Sequence, residues 1–466
     1  MTRTAVSGAP RSRLVSLVTA GAFGGAIVLI WALGPSSGRH LLASLLASYL
    51  LGWAALFAAS SRDRSELHLR FLLVAASLAV TLVLVEAAGL ARLVDYRMIF
   101  GSRHPHAWIS AGNRFDPELL SVRRPHLQLR GRRDRGNLAE SWCLPPSGAG
   151  YQHELAYDRN GFRNPTDLTR AEIAVVGDSY VEAVESRQER TLTALLAEAT
   201  GLRVANLGRA GYGPQQELVV LQRYALALEP EVVLWVFYAG NDLKDMDRYE
   251  EIMAGLDRLP KRASLVERTF SYNALLRLFS WFERCEPSDE ARRRSGLFRA
   301  RSGEAVRMYF GEEVRPLDAA DLGAVERFRE ILAAAWRESA GRGARLVLVV
   351  VPEKFRVHHG LLEFPERSDC AHWVPDDLPA RLEALGREVS PEIGFLDLTP
   401  ALAAEAARGE IVYFPDDTHW TDAGHRVAAR AIDGYLRERM PDLAPKVRVA
   451  PESLRTRPAG GPTPSE

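Results

Sequence analysis

The stretch Ile173-Ala-Val-Val-Gly177-Asp178-Ser179-Tyr180 is the clearest indication of the fold in this sequence. Its apolar run is typical of a buried strand, and the Gly-Asp-Ser turn that follows is where a helix begins in alternating α/β proteins. Gly177 permits a tight turn, and Ser179 falls in the first helical turn, where the helix N-terminus favours negative charge. Ser179 is therefore the candidate nucleophile, although a Gly-Asp-Ser tripeptide by itself is more often an ordinary turn.

Outward from this stretch, short apolar runs alternate with amphipathic segments. The predicted strands are 173–177, 204–207, 232–237, 346–351 and 394–398. The predicted helices are 191–199, 215–228, 322–339, 379–388 and 421–439. Runs such as Val232-Val-Leu-Trp-Val-Phe237 are apolar on both faces, which is typical of a parallel strand between two layers of helices. The pattern predicts an α/β fold, a three-layer α/β/α sandwich with a mostly parallel sheet.

Two residues that follow the second and third strands are candidate oxyanion donors. Gly211 lies in a glycine-rich loop, where the backbone can approach a substrate closely, and the side-chain amide of Asn241 can point into the same crevice. Each residue alone is explained as well by a strand-to-helix connection or by a helix cap. Their position at the ends of successive strands beside Ser179 favours the functional interpretation.

His419 is the candidate base, and it comes directly before the last predicted helix. Two carboxylates precede it, Asp416 at minus three and Asp417 at minus two. Either spacing allows a carboxylate to orient the imidazole through the ring N–H opposite the serine. The spacing alone leaves both residues open as the third member of a triad.

These four fragments, in this order, resemble the blocks of the SGNH/GDSL hydrolase family, which centre on Ser, Gly, Asn and His. The resemblance covers residues 150–440 and implies an SGNH or flavodoxin-like fold. It implies that Ser179 is the nucleophile and also an oxyanion donor through its backbone N–H. Gly211 and Asn241 are the implied further donors, and His419 is the implied base. Asp416 fills the Asp-x-x-His spacing of the family.

The chain departs from the family pattern in its third block, where Ala239 replaces the usual glycine and Gly240 precedes Asn241. The string Asp417-Thr-His-Trp420 is also similar to the Asp-x-His-Trp string of alginate O-acetyltransferase-type SGNH domains, which leaves the triad carboxylate open between positions 416 and 417. The stretch 157–163 is similar to the arm of membrane-attached members of this group.

Three apolar stretches, residues 14–33, 41–60 and 71–90, have the length of about 20 residues that a transmembrane helix needs. Only the third contains a charged residue, Glu86, which we interpret as a carboxylate near the membrane interface. Arginines cluster before the first stretch and between the second and third, which predicts that these flanks face the cytoplasm. We therefore expect a multi-pass protein of the inner cell membrane, with the region after residue 95 on the extracytoplasmic, periplasmic side.

The chain divides into four predicted regions. They are the membrane region 1–94, a linker and arm 95–170, a catalytic domain 171–440 and a disordered Pro-rich tail 441–466. Within the catalytic domain, residues 245–320 interrupt the alternation between the third and fourth strands. We expect them to form an inserted cap over the carboxyl edge of the sheet, where sites of α/β proteins form.

Composition excludes several classes of function. Lys+Arg and Asp+Glu are both 59, so the formal charge is zero and no basic field indicates a nucleic-acid partner. Cys143, Cys285 and Cys370 lack CxxC spacing; one pair can form a disulfide outside the cytoplasm, and the sequence leaves the pairing open. No motif indicates a metal, a nucleotide or a flavin, so no cofactor is expected.

Three functions compete at this stage. The first is a serine esterase that removes O-acyl groups, foremost acetyl, from an envelope or extracellular glycan or from a small ester. The second is an O-acyltransferase that moves acetyl groups onto a polysaccharide; three spans are too few for us to expect the chain to carry the acyl donor across the bilayer, so this function implies a separate membrane partner. The third is a non-catalytic glycan-binding or scaffolding protein, which the presence of nucleophile, donors and base disfavours.

Overall fold

The structure, a computed structural model, describes residues 80–101, 106–145, 151–282 and 286–443, together with residues 77 and 104. The chain forms two compact units. One comprises Met1–Ala111 and Pro260–Cys285, and the other comprises Gly112–Leu259 and Glu286–Glu466. The second unit contains the stretch around Ser179 and all the strands named below.

The strands and α-helices are numbered in chain order. The strands are β1 Asn113–Asp116, β2 Leu120–Arg123, β3 Gln128–Arg133, β4 Tyr151–Ala156, β5 Ile173–Gly177, β6 Val204–Gly208, β7 Val232–Tyr238, β8 Ser295–Arg299, β9 Ala305–Tyr309, β10 Arg345–Val351, β11 Leu362–Glu363 and β12 Gly394–Asp397. The helices are α1 Tyr96–Phe100, α2 Asn137–Ser141, α3 Ser179–Glu182, α4 Leu192–Thr200, α5 Pro214–Val220, α6 Asp242–Gly255, α7 Phe270–Phe282, α8 Asp289–Arg293, α9 Ala319–Ala340, α10 Lys354–His358, α11 Leu378–Val389, α12 Thr399–Ala407 and α13 Asp422–Arg439.

The central sheet has five parallel strands in the order β12-β10-β7-β5-β6. The first strand in sequence, β5, lies between the second and the third, β6 and β7. After β5 the chain adds β6 on one side, and it then adds β7, β10 and β12 on the other side. The carboxyl ends of β5 and β7 border the crevice at this switch point, where such sheets bind ligands. Ser179 follows β5 and Asn241 follows β7, so both residues lie at this switch point.

Alternate residues of the central strands enter two separate hydrophobic cores. Val175 packs with α4 and α13 residues on one face, and Val176 packs with α9 and α11 residues on the other. Because every residue of β5 and β7 is buried, neither face of these strands meets solvent. The predicted α/β fold with a parallel sheet between two helical layers is confirmed.

Two parts of this unit have structure that the sequence analysis did not predict. The arm contains two antiparallel strand pairs, the hairpin β1–β2 and the pair β3–β4, whose strands are connected through α2. Strands β8, β9 and β11 form a three-stranded antiparallel sheet.

The predicted helix 215–228 keeps α-helical geometry only as α5, and residues 221–225 continue it as a wider π-turn.

The segment predicted as a cap, residues 245–320, is divided between the two units. Its residues 260–285 belong to the unit that also contains residues 80–101, and its remaining residues belong to the unit of the sheet. The latter include most of α6, with α8, β8 and β9.

The predicted spans 14–33 and 41–60 lie outside the described residues, as does most of 71–79. Among the residues that the structure describes, no helix is both long enough and apolar enough to cross a bilayer. Residues 80–90 are helical, and the Glu86 carboxylate accepts hydrogen bonds from the backbone N–H groups of Phe270 and Ser271, both at 2.9 Å. Glu86 therefore binds the N-terminal N–H groups of α7, where a negative charge is favourable.

Candidate active site

The candidate nucleophile stands at a tight strand-to-helix turn. Ser179 is the first residue of α3, and the Asp178 carboxylate caps this helix by accepting a hydrogen bond from the Tyr180 N–H at 2.9 Å. A side chain at Gly177 would meet Val181 at 2.7 Å and the backbone of β7, so only glycine fits there. The turn thus follows from the Gly-Asp-Ser sequence and from close packing of α3 on the sheet.

His419 connects the serine to a carboxylate. Its Nε2 lies 2.8 Å from the Oγ of Ser179, and its Nδ1 lies 2.6 Å from Oδ1 of Asp417. Asp417 is almost fully buried, whereas the His419 side chain is 14% exposed and remains accessible from the crevice. A hydroxyl, an imidazole and a carboxylate in this order can transfer a proton away from the hydroxyl during nucleophilic attack.

The two carboxylates that the spacing left open have different partners. Asp417 contacts His419 through one oxygen, and its other oxygen accepts a hydrogen bond from the Asn137 N–H at 2.7 Å. Asp416 instead accepts a hydrogen bond from the Gly136 N–H at 3.1 Å. A side chain at Gly136 would lie 2.3 Å from the Asp416 carbonyl oxygen, so the arm passes too close to this loop for any other residue.

A second carboxylate near the imidazole, Glu185, was not singled out by the sequence analysis. Its Oε1 lies 3.7 Å from Nδ1 of His419 and 3.4 Å from a guanidinium nitrogen of Arg133. The side chain is 4% exposed, and its Oε2 has no hydrogen-bond partner among the described residues. A glutamate six positions after the serine has no local pattern that marks it, so only the fold brings it to His419.

These contacts shift the pKa values of His419, Asp417 and Glu185. Burial disfavours a charged imidazole, but the charges of Glu185 and Asp417 outweigh burial and raise the pKa of His419. Burial also opposes a charged Asp417, yet the charge and hydrogen bonds of His419 and the Asn137 N–H hold the pKa of Asp417 well below its usual range. Burial raises the pKa of Glu185, and the charge of Asp417 adds to this effect. His419 is consequently a stronger base than a free histidine.

The loop that carries Asp417 and His419 is held by a buried lysine and a tyrosine. Lys354 donates to the carbonyl oxygens of Phe414, Pro415 and Asp417 at 2.6, 2.8 and 3.0 Å. The Tyr180 hydroxyl donates to the next carbonyl along the loop at 2.6 Å. Burial lowers the pKa of Lys354 to about 7. Lys354 thus holds the backbone of the loop that carries Asp417 and His419.

Gly211 is exposed and has a backbone conformation that favours glycine. Its φ of +78° is the left-handed conformation that favours glycine, and a Cβ added there would meet open space. The loop is fixed one residue earlier, because the Ala210 N–H donates to the buried Glu182 carboxylate at 2.7 Å. Glu182 belongs to α3, so the glycine loop and the nucleophile are anchored to the same short helix.

Asn241 is the N-cap residue that immediately precedes α6, and it lines a cavity of about 280 Å³. Its side-chain Nδ2 donates to Asp245 at 2.8 Å, and its Oδ1 has no hydrogen-bond partner among the described residues. Burial and the charge of Asp178 raise the pKa of Asp245 to about 7. One of the two Nδ2 hydrogens remains for another acceptor, as an oxyanion donor requires.

Histidine, cysteine, aspartate and glutamate side chains can bind a metal ion when their ligand atoms lie close together. Within the described ranges, one group of three meets this condition: the ligand atoms of Glu185, Asp417 and His419 all lie within 4.8 Å of one another. In the structure, Nδ1 of His419 is instead 2.6 Å from Asp417. This nitrogen therefore already takes part in the chain of contacts from Asp417 through His419 to Ser179.

Comparison of the sequence with known proteins finds similarity to proteins that are described as acting on acetyl esters. Residues 301–462 match a family described as SGNH hydrolase-like domain, acetyltransferase AlgX. A protein of Pseudomonas putida described as a probable alginate O-acetylase, AlgJ, is 38% identical over 90 residues, which are 19% of this chain and 22% of that protein. The aligned part thus spans about a fifth of this relative.

Solved structures of ester-acting enzymes show weaker likenesses. A catalytic mutant of the acetylxylan esterase Axe2 from Geobacillus stearothermophilus has 12% identity and a TM-score of 0.30, covering 60% of this chain and 99% of that chain. A lipase/acylhydrolase from Enterococcus faecalis has 15% identity and a TM-score of 0.30, covering 57% and 95%. These scores are too low to assign a function. The predicted resemblance to SGNH/GDSL hydrolases and to alginate O-acetyltransferase-type domains is confirmed by the two sequence matches.

Proposed function

We propose that this chain is a serine-dependent enzyme that acts on O-acetyl esters of a glycan through a covalent acetyl-Ser179 intermediate. One observation carries the proposal: Ser179, His419 and Asp417 form a continuous line of contacts of 2.8 and 2.6 Å. The line ends at the switch point of the parallel sheet, where α/β proteins bind their ligands. The non-catalytic alternative has no explanation for a buried carboxylate that orients an imidazole toward a serine.

In the first half of the reaction, the Ser179 Oγ attacks the ester carbonyl carbon while Nε2 of His419 accepts the hydroxyl proton. Asp417 stabilises the imidazolium that forms. The backbone N–H groups of Ser179 and Gly211 and the side-chain amide of Asn241 are the proposed donors to the oxyanion of the tetrahedral intermediate. When that intermediate collapses, His419 returns the proton to the departing alcohol, and the acetyl group remains on the serine.

The second half of the reaction depends on which hydroxyl enters. His419 takes a proton from water or from a sugar hydroxyl, whose oxygen attacks the acetyl carbon and releases Ser179 with its proton restored. Water yields acetate, which is hydrolysis, and a sugar hydroxyl yields a new O-acetyl ester, which is transfer. The same residues therefore serve an esterase and a transferase.

Hydrolysis is the first candidate because the four sequence blocks resemble those of SGNH hydrolases. Transfer to a polysaccharide is the second candidate, and the matches to AlgX and AlgJ favour it, since those proteins are described as an acetyltransferase and an alginate O-acetylase. Transfer implies an acetyl donor, which we expect a separate membrane partner to supply.

We also propose that the catalytic unit lies outside the cytoplasm and is anchored by the three predicted spans. A disulfide at Cys143 supports this location, because disulfides persist in oxidising compartments. A fusion of a periplasm-specific reporter to the C-terminus tests it, and activity of a cytoplasm-specific reporter there would reject it.

The purified full chain tests the reaction with 4-nitrophenyl acetate and an acetylated oligosaccharide. Ser179→Ala removes the nucleophile, and Ser302→Ala, at an exposed serine of the same unit, is the control. We expect nitrophenolate release by the wild type and the control, and none above background by Ser179→Ala.

An oligosaccharide acceptor, added in a neutral and in an anionic form, separates the two directions of the reaction. Acetate as the sole product supports an esterase, and acetylated oligosaccharide detected by mass spectrometry supports a transferase. Serine-independent release of nitrophenolate by a folded protein would overturn the proposed site.

A further inference from the structure

A second cleft, which we call the arginine cleft, has a volume of about 550 Å³ and is not lined by any proposed catalytic residue. Its walls come from the segment after α2, from α8, from β9 and from the loop after β11. The lining residues that carry the argument are Arg292, Arg307, Arg367, Tyr309, Leu144 and Pro365. The volume falls in the range of ligand sites.

The arginines of the cleft differ from their neighbours in their partners. Arg293, next in the chain to Arg292, pairs with Asp369 at 3.5 Å, and Arg294 pairs with Glu290 at 3.1 Å. Among the described residues, Arg292 and Arg367 have no carboxylate within ion-pairing distance. Arg307 likewise has no such carboxylate, and its guanidinium donates to the hydroxyl of Ser295 at 3.1 Å. Of these five arginines, the three without a carboxylate partner among the described residues are the ones that line the cavity.

The rest of the cleft suits a saccharide ring. The half-buried Tyr309 presents an aromatic ring, whose position is supported by Trp142 at 6.4 Å between ring centroids. Leu144 and Pro365 add apolar surface. One carboxylate, Glu366, also lines the cleft, so three cations face one anion. Guanidinium groups bind carboxylate, sulfate and phosphate through paired N–H donors, and aromatic rings provide apolar contact surface beside them.

The cleft adjoins the loop that carries the triad carboxylate. The Tyr309 N–H donates to the Pro415 carbonyl oxygen at 2.9 Å, two residues before Asp417. Leu144, which also lines the cleft, follows α2, and the first residue of α2, Asn137, donates its N–H to Asp417 at 2.7 Å. Two of the segments that line the cleft are therefore hydrogen-bonded to the segment 415–417.

We infer that the arginine cleft binds an anionic saccharide unit of the glycan on which the catalytic site acts. This inference rests on the proposed function for the identity of the polymer, but binding at the cleft does not require Ser179. The shared chemistry of the ligand is an oxyanion attached to a sugar ring, either a carboxylate of a uronate or a sulfate or phosphate ester. Neutral glycans lack the group that the three arginines select.

Binding of oligosaccharides to the full chain, measured by isothermal titration calorimetry, tests the inference. Three probes of equal length are compared: an oligouronate, a sulfated neutral oligosaccharide and the unmodified neutral oligosaccharide. We expect the anionic probes to bind and the neutral one not to bind, and we expect affinity to fall with added salt. The double variant Arg292→Gln/Arg367→Gln should weaken binding of the anionic probe about tenfold or more, because two charged hydrogen-bond donors are lost.

Arg293→Gln is the matched control, because it removes one charge from the same basic run at a residue that does not line the cleft. All these variants should keep wild-type turnover of 4-nitrophenyl acetate, which shows that they fold and separates this test from the test of the catalytic site. Preference for the oligouronate identifies a carboxylate ligand, and preference for the sulfated probe identifies an ester anion. Equal binding of charged and neutral probes, or equal loss in Arg293→Gln and the double variant, would overturn the inference.

Discussion

The backbone N–H of Asn137 donates to Oδ2 of Asp417 at 2.7 Å, although the two residues are 280 positions apart in the chain. The other oxygen of the same carboxylate contacts His419 at 2.6 Å. The Asn137 side chain also exchanges two hydrogen bonds with Thr418, at 2.8 and 3.0 Å. The arm that precedes the sheet therefore helps to orient the proposed triad carboxylate, and a unit without this arm would lack one of the three hydrogen bonds to the carboxylate of Asp417.

Exchange of the two neighbouring carboxylates for amides should have unequal effects. Asp417→Asn removes the charge that stabilises the imidazolium and offers the wrong hydrogen-bonding group to Nδ1, so kcat should fall by roughly 10³–10⁴-fold. Asp416→Asn changes only the bond to Gly136 and should cost less than about tenfold. Initial rates with 4-nitrophenyl acetate, with melting temperatures as the check on folding, measure both. A larger loss in Asp416→Asn would contradict the assignment.

Replacement of Glu185 should move the pH profile of the enzyme. The base must be neutral, so kcat/KM rises with pH through the pKa of His419, which the charge of Glu185 helps to raise. Glu185→Gln removes that charge and lowers the pKa, and the acid limb of the profile should shift to lower pH. Glu198→Gln, at an exposed glutamate of α4, is the control and should leave the limb in place. An acid limb that stays fixed or moves to higher pH in Glu185→Gln would reject this role.

Asn241→Ala should lower kcat by about 10²–10³-fold with little change in KM, because an oxyanion donor acts mainly in the transition state. Glu251→Ala, at an exposed position of the same helix, controls for effects on α6. Steady-state kinetics with 4-nitrophenyl acetate separate the two constants. A rise in KM at unchanged kcat would instead make Asn241 a substrate-binding residue.

The disulfide of Cys143 should stabilise the protein by about 2–4 kcal/mol. Cys370 is free and buried, so thiol titration of the unreduced, denatured chain should find one thiol, and titration after reduction should find the three cysteines of the sequence. Reducing agent should lower the melting temperature of the wild type and of Cys370→Ser alike, but not that of Cys143→Ser. A melting temperature of the wild type that is insensitive to reduction would contradict the prediction.

Local patterns in the sequence predict the central sheet and several residues of the candidate site. Runs such as Val232–Tyr238 are apolar at every position, and helix periodicity between them is a local property. The predicted strands of the central sheet therefore lie within a few residues of their observed bounds, as do the predicted helices other than 215–228. Ser179 and Asn241 were predicted for the same reason, because each directly follows a strand end.

Which charged groups contact the imidazole depends instead on how distant segments of the chain pack together. Asp416 and Asp417 are adjacent and both spacings are usable; their partners, Gly136 and Asn137, come from an arm that no local pattern connects to this loop. Glu185 reaches His419 for the same kind of reason, because its distance to the ring is set by packing of α3 on the sheet. Periodicity specifies which face of an element is buried, whereas contacts between distant segments depend on how the whole chain packs.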